Sequence, residues 1–128
     1  MDPINIAQTA RTPRVEFDFE SSKFILAGES YPEDVSTFYG PLLEIFTSFL
    51  SGLSNAEISF RFELIYFNSS TAKILMELFE ALEEAAGSGN QVVITWAHEA
   101  GDDNIKELGE EFAEELSNAS FILEEIAI

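Results

Sequence analysis

The chain has 128 residues, with 24 Asp or Glu against six Lys or Arg, and its formal net charge is −18 at pH 7. So acidic a surface repels phosphates, which excludes nucleic acid and anionic membranes as expected partners. A hydrophobic content of 46% with twelve Phe is enough for one core, and a sequence without Cys excludes thiol catalysis, disulfides and thiolate zinc sites. Because no apolar run approaches the roughly 20 residues of a membrane span and residues 1–13 lack the features of a signal peptide, we expect a cytoplasmic protein.

The chain begins with an unpatterned arm followed by a predicted hairpin. Residues 1–13 show no sustained periodicity, so we assign them to an N-terminal arm and residues 14–128 to a single domain. Apolar and acidic residues alternate over 15–20, which predicts a half-buried strand. A second predicted strand over 23–28 follows after a tight connection, and the two strands form a hairpin.

A long helix is predicted after this hairpin. Ser30 followed three residues later by Glu33 fits a capping box, and Gly52 is expected to end the helix. We expect Pro41 to kink the helix or to reset its start, because proline removes a backbone donor. The apolar residues of the helix fall into two stripes. One contains Val35, Phe38, Leu42, Ile45 and Phe49, and the other contains Tyr39, Leu43, Phe46 and Leu50.

The second of these stripes is a candidate partner-binding surface. A helix on one side of a sheet buries a single stripe, so the stripe of Tyr39, Leu43, Phe46 and Leu50 is predicted to dock a protein partner. Two alternatives account for the same pattern. Both stripes pack in the core, or the helix joins two copies of the chain as a homodimeric structural subunit.

The rest of the chain alternates strands and helices. Period-two alternation over 57–67 predicts the longest strand, which becomes apolar on both faces and is therefore expected inside a sheet covered on both sides. A helix over 72–86, a short strand over 91–96, a helix after 102–104 and a last strand over 121–126 follow. This order predicts one compact α/β domain with a mixed sheet of four or five strands.

No pattern in the sequence favours catalysis or metal binding. The run Asp102-Asp103-Asn104 resembles the start of an EF-hand loop, but the sixth position counted from Asp102 is Glu107, where such a loop needs glycine. We therefore expect no metal ligand, and we also expect no cofactor. His98 has no partner nucleophile, so a small enzyme that uses His98 or carboxylates is the disfavoured alternative. The third helix has an acidic face with the period of a solvated surface, and recognition of a basic partner is its alternative role. That face contains Glu107, Glu110, Glu111, Glu114 and Glu115.

Three consecutive hydroxyl residues follow the long strand and precede a helix. Asn68 or Ser69 is expected to cap this helix, and simple capping accounts for the pattern. Ser69, Ser70 and Thr71 are also placed where a phosphate would meet free amides and the positive end of the helix dipole. A phosphate there adds up to two charges to an exposed rim, and Lys73 is expected to help hold it.

The sequence resembles the SiaC family of bacterial regulatory phosphoproteins at these residues. The resemblance rests on residues 28–34 (GESYPED), 66–73 (YFNSSTAK) and 110–112 (EEF), and it extends over nearly the whole chain. It implies a fold similar to the STAS domain of anti-sigma-factor antagonists and a non-enzymatic role. The family's phosphoacceptor is implied to be the residue after the Asn, which is Ser69 here, with Ser70 and Thr71 as neighbouring alternatives.

The resemblance also implies a set of partners. A dedicated protein kinase adds the phosphate, and a PP2C-type phosphatase removes it. The unphosphorylated form is expected to bind and activate a diguanylate cyclase, which connects the protein to cyclic di-GMP and to biofilm behaviour. The leading hypothesis is thus a phosphorylation-controlled binding module.

Overall fold

The computed structural model describes residues 1–127, which form six strands and three α-helices. In chain order these are β1 (Ile4–Ile6), β2 (Arg14–Asp18), β3 (Lys23–Ser30), α1 (Val35–Ser51), β4 (Glu57–Phe67), α2 (Ser69–Gly87), β5 (Gln91–Glu99), α3 (Asp103–Ala113) and β6 (Ser120–Ile126). None of the helices in this part of the chain is long and apolar enough to cross a membrane.

The six strands form one mixed sheet whose spatial order is the same as their order in the chain. Strands β1, β2 and β3 are antiparallel neighbours, and β3, β4, β5 and β6 are parallel. One helix connects each parallel pair, and successive right-handed crossovers in one direction place their helices on the same side of a sheet. The predicted α/β domain with a mixed sheet is confirmed.

The predicted number of strands is wrong by one. The additional strand, β1, comes from residues 1–13, which were expected to form only an arm. Ile4 pairs with Phe17 and Ile6 pairs with Val15 in the antiparallel register of β1 and β2. A strand of three residues is too short for its alternation to stand out in the sequence, and its pairing with β2 defines it. The last residue assigned to the domain, residue 128, lies outside the described part.

The core fills the space between one face of the sheet and the three helices. Aromatic contacts show this directly: Phe46 of α1 packs on Phe60, and Phe112 of α3 packs on Trp96. Phe79 of α2 contacts Trp96 as well. The buried strand residues alternate with half-exposed ones, as the pattern of β4 shows. These core residues include Phe17, Phe24, Leu26, Phe60, Phe62, Ile94 and Trp96.

The opposite face of the sheet carries no helix, and charged and apolar side chains alternate across it, since Ile25 and Ile122 are in register with Arg61 and Thr95. Arg61 lies near its centre and forms ion pairs with Glu63 and Glu124, all three side chains being partly exposed. The expectation that β4 is covered on both sides is therefore wrong. The apolar residues on both faces at the end of β4 have a different cause, a bulge that is described below.

Helix α1 begins and packs differently from the prediction. Its N-cap is Asp34, whose Oδ1 accepts a hydrogen bond from the Thr37 amide at 3.1 Å, so the predicted capping box at Ser30 is wrong. The helix continues through Pro41 and ends at Ser51, with Gly52 as its C-cap. Its buried face combines members of the two stripes that the sequence separates, namely Tyr39, Leu42, Phe46 and Leu50.

This burial corrects the predicted docking stripe. Tyr39, Phe46 and Leu50 belong to the core, and Leu43 is half-buried beside it. The partner-binding prediction is therefore wrong for three of its four residues. Since a partner reaches only accessible side chains, this stripe stabilises the fold, and a docking surface has to be found elsewhere.

Candidate functional site

The junction between β4 and α2 presents two exposed hydroxyl side chains at a helix N-terminus. Asn68 has an extended backbone and caps α2, and its Oδ1 accepts a hydrogen bond from the Thr71 amide at 3.0 Å. Ser69 and Ser70 occupy the first two helical positions and their side chains are exposed. The amides of these first positions have no carbonyl partner within the helix, so they lie free for an anion.

Thr71 is the buried member of the three hydroxyls. Its Oγ1 donates to the Ser30 carbonyl at 3.1 Å and lies 2.9 Å from the Ser30 hydroxyl, and no part of its side chain is exposed. A kinase must reach the hydroxyl that it modifies. Burial therefore argues against Thr71 as the acceptor and leaves Ser69 and Ser70.

A buried hydroxyl network connects this junction to α1. The Ser30 hydroxyl lies 2.6 Å from the Tyr39 hydroxyl, so Ser30 at the end of β3 joins Tyr39 of α1 to Thr71 of α2. Burial raises the pKa of Tyr39 to about 12, against the opposing effect of its hydrogen bond with Ser30. The phenol is thus kept neutral. The network fixes the first turn of α2, so that the exposed serines beside it are held in place.

Sequence reasoning missed this network. Ser30 was assigned to a helix cap and Tyr39 to a docking stripe, whereas both lie in the interior. Ser30 is 9 residues from Tyr39 and 41 residues from Thr71 in the chain, and such separations carry no periodic signal.

A bulge in β4 creates an exposed apolar surface next to the serines. Gly28 pairs with Leu64 but Glu29 pairs with Tyr66, so Ile65 is an extra residue in β4. The bulge reverses the alternation beyond it, because an extra residue shifts every later side chain to the other face. Tyr66 is consequently exposed, at 51%, as is Ile65, at 48%.

We call this surface the β4 rim; it consists of the exposed Ile65 and Tyr66 and the neighbouring, half-buried Tyr31. The rings of Tyr31 and Tyr66 meet edge to face with centroids 5.8 Å apart. A shallow cleft of about 450 Å³ separates Ile65 and Tyr66 from α3. The rim therefore offers apolar area and a cleft to a protein partner, three to four residues before Ser69 in the chain.

Lys73 lies one turn after Ser69 on α2. It is exposed and forms no ion pair with any other residue in 1–127. Residues four apart in a helix are neighbours on its surface, so Lys73 lies on the side of Ser69 and within the range of a phosphate there.

His98 and the run 102–104, which the sequence offers for catalysis and metal binding, have local structural contacts in the described part. No three His, Asp or Glu residues within 1–127 are grouped to hold a metal ion. His98 is buried, and its Nδ1 lies 3.3 Å from the Glu99 carbonyl oxygen. In the run Asp102-Asp103-Asn104, Asp102 caps α3 by accepting a hydrogen bond from the Ile105 amide.

Comparisons with known proteins identify the family. Residues 6–126 match the family described as SiaC family regulatory phosphoprotein. An uncharacterised protein of Pseudomonas aeruginosa (strain UCBPP-PA14) is 31% identical over 118 residues, which cover 91% of this chain and 92% of that protein. The crystal structure of apo-SiaC from Pseudomonas aeruginosa superimposes with a TM-score of 0.85 at 29% identity, over 97% of this chain and 99% of that one.

A second solved structure shows a relative bound to a partner. It is the crystal structure of diguanylate cyclase SiaD in complex with its activator SiaC from Pseudomonas aeruginosa, and it matches with a TM-score of 0.89 at 28% identity. The match covers 96% of this chain and 99% of the other. With the family match over residues 6–126, these similarities show that the chain belongs to the SiaC family of regulatory phosphoproteins.

Proposed function

We propose that this protein is a non-enzymatic binding module that engages an effector when unphosphorylated and releases it when Ser69 is phosphorylated. The observation that carries the proposal is the position of an exposed hydroxyl, at the N-terminus of α2, directly beside the exposed apolar β4 rim. A diguanylate cyclase is the proposed effector, since the family relative SiaC is crystallised as the activator of SiaD. We also propose a cytoplasmic location, where a cyclase finds its GTP.

The domain accommodates a phosphate without unfolding. The free amides of the first helical turn donate to phosphate oxygens, the helix dipole favours a negative charge there, and Lys73 adds a cation. The buried hydrogen bonds of Thr71 with Ser30 fix the same turn on its interior side. Phosphorylation therefore changes the surface while the fold persists.

The phosphate acts on the effector locally. The chain already carries a net charge of −18, so the long-range field changes little when about two further charges are added. In a desolvated contact on the β4 rim, however, the same charges need counterions or hydrogen bonds that an apolar partner surface does not supply. A loss of about 1.4 kcal/mol lowers affinity tenfold, and a buried like-charge contact costs several kcal/mol.

The proposed cycle requires a protein kinase and a PP2C-type phosphatase. Ser69 is the favoured acceptor because it follows Asn68, as the family resemblance implies, and because its side chain is exposed. Ser70 is equally exposed, and it is the alternative that an experiment has to separate from Ser69.

The test combines peptide mass spectrometry with binding to the cyclase. After treatment with the cognate kinase, phosphate is expected on Ser69 in wild type and on no residue of 69–71 in Ser69→Ala. Ser69→Ala should bind and activate the cyclase constitutively. Ser69→Asp should bind at least about tenfold more weakly, since even one carboxylate places a charge in the contact.

Matched variants separate the site from general charge effects. Ser70→Ala should behave as wild type, and Ser88→Asp, which adds the same charge at the far end of α2, should leave cyclase binding unchanged. Replacing Tyr66 with Ser should weaken binding without unfolding the domain, because the ring is exposed. If a kinase that is active on a control substrate leaves both Ser69 and Ser70 unmodified, the switch is not present in this protein.

A further inference from the structure

A groove between α2 and α3 has an apolar floor that the proposed switch does not use. Its volume is about 580 Å³. Phe79 of α2 and Phe112 of α3 form the base with ring centroids 5.4 Å apart, and Leu116 closes one end. Met76 is half-exposed at the edge, at 50%. Apolar area is therefore accessible along the groove between two helices.

The rim of this groove is entirely anionic. Its charged lining residues are Glu80, Glu83, Glu84, Glu111 and Glu115, and no Lys or Arg lines it. The carboxylate of Glu83 is occupied, because it accepts hydrogen bonds from the amides of Ser117, Asn118 and Ala119. The other four form no ion pair with any residue in 1–127.

Backbone charge adds to the negative field of the groove. Glu84 lies in the last turn of α2 and Glu111 in the last turn of α3, where the carbonyl ends of the helices carry partial negative charge. Neither helix has a basic residue in its last turn. The glutamate side chains and the helix ends thus both favour a cation. Because the floor of the groove is apolar, the ligand that fits it is a cation that also carries apolar groups.

We propose that this groove binds a basic amphipathic helix of a partner protein. Apolar side chains of such a helix would contact Met76, Phe112 and Leu116, which are at least partly accessible, while its Lys and Arg residues reach the glutamates on the two sides. A second copy of this chain is disfavoured as the occupant, because it carries the same net charge of −18. An anionic lipid surface is disfavoured for the same reason.

The proposal is independent of the phosphorylation switch. A negative charge at Ser69 is expected to affect the binding of the basic helix and the binding of the effector in opposite directions. Ser69 and Met76 are seven residues apart and lie on the same side of α2, so a charge at Ser69 adds to the anionic field that attracts the cation. Ser69→Asp is therefore expected to bind the basic helix at least as tightly as wild type. The effector on the β4 rim is expected to respond in the opposite direction.

The test uses a fluorescein-labelled synthetic helix of about 18 residues, with Leu on one face and Lys and Arg on the other. Fluorescence anisotropy measures its affinity for the full chain, and ¹⁵N-resolved NMR maps its contacts. Chemical shift changes are expected at Met76, Phe79 and residues 111–116. A peptide of the same composition in scrambled order, which forms no amphipathic face, should bind at least about tenfold more weakly.

Two matched pairs of variants isolate the groove. The triple change Glu80→Gln, Glu111→Gln and Glu115→Gln should weaken binding about tenfold, whereas Glu20→Gln, Glu44→Gln and Glu57→Gln, which change the net charge equally, should not. Met76→Gln should weaken binding more than Ile122→Gln, although the two side chains are similarly exposed. Equal effects within either pair, shift changes outside the groove or no binding of the designed helix would overturn the proposal.

Discussion

Gly109 lies on the face of α3 that packs against the indole of Trp96. A Cβ atom at this position would overlap the Cδ1 and Nε1 atoms of Trp96. The ring has no freedom to move away, because its Nε1 donates to the Ile105 carbonyl at 2.9 Å and Phe62 and Phe112 pack against it. Gly109 is thus required by close packing.

We predict that Gly109→Ala destabilises the domain although Ala is the better helix former. Helix propensity contributes roughly 1 kcal/mol in favour of Ala, and overpacking a fixed core costs roughly 1–3 kcal/mol or more. Gly87→Ala is the control, since Gly87 also lies in a helix, no proline follows it, and the nearest atom outside its own helix and chain neighbours is the side-chain nitrogen of Asn118 at 3.4 Å. It should stabilise the domain by about 0.5–1 kcal/mol. Urea unfolding measures both, and a stabilising Gly109→Ala would contradict this account.

The buried hydroxyl of Tyr39 is predicted to affect both the stability of the domain and its dependence on alkaline pH. Tyr39→Phe removes the hydrogen bond to Ser30 and should cost about 1 kcal/mol near neutral pH. In wild type the neutral phenol is favoured in the fold, so its contribution is complete below the ordinary pKa of 10.0 and is lost as the pH rises toward about 12. Tyr39→Phe should remove this alkaline loss. Chemical unfolding across that pH range checks both effects, and parallel curves for the two proteins would contradict the assigned pKa.

Individual residues show why part of the site was predictable and part was not. Asn68 as the cap and exposed serines after it follow from local sequence, because capping depends on residues within one turn. The burial of Thr71 does not follow from local sequence. It depends on the tertiary contact with Ser30, which is in turn hydrogen-bonded to Tyr39. Burial separates three adjacent hydroxyls that look equivalent in the sequence.

Glu83 ties α2 to the segment that precedes β6. Its carboxylate accepts from three consecutive amides, those of Ser117, Asn118 and Ala119. Burial tends to raise the pKa of Glu83, but the hydrogen bonds together lower it below the usual 4.5. The charged carboxylate therefore stabilises the attachment of β6 to the rest of the domain.

We predict that Glu83→Gln weakens this attachment and removes part of the acid sensitivity. Stabilisation by Glu83 is present above pH 4.5 and is lost as the pH falls through its lower folded pKa. Gln retains one acceptor but no charge, so the variant should lose about 1 kcal/mol at neutral pH. Hydrogen exchange of residues 117–126 and acid titration of stability are the measurements. Glu84→Gln is the control, and an equal loss there would contradict the role of Glu83.

At the scale of elements, periodicity predicted all three helices and five of the six strands. It missed the bulge at Ile65, because an extra residue in β4 is defined by its pairing with β3 and not by its own sequence. It also assigned two stripes to α1 where one mixed stripe is buried. Apolar residues around a helix do not reveal which of them face the sheet until neighbouring elements are in place.

The positions of the three helices determine where the two proposed binding surfaces lie. All three pack on one face of the sheet, which leaves the β4 rim at the edge where β4 ends and the acidic groove between α2 and α3. Net charge is the other global property. Of the six cations, Arg11, Arg14 and Arg61 already pair with glutamates, so the remaining carboxylates largely repel one another.

This balance predicts that salt stabilises the domain. Raising NaCl from about 0.02 M to about 0.3 M shortens the Debye length from roughly 20 Å to roughly 6 Å. Screening weakens the few ion pairs, but exposed pairs contribute little, whereas repulsion acts among most of the 24 acidic residues. The thermal midpoint should therefore rise with salt.

Scanning calorimetry at several salt concentrations measures this rise, and a variant with reduced charge tests its cause. Glu44→Lys with Glu57→Lys lowers the net negative charge at two exposed sites. The variant should begin with a higher midpoint at low salt and gain less from added NaCl, because less repulsion remains to be screened. The basic helix proposed for the acidic groove should respond oppositely, since screening weakens attraction. A midpoint that falls with salt would show that the ion pairs outweigh the repulsion.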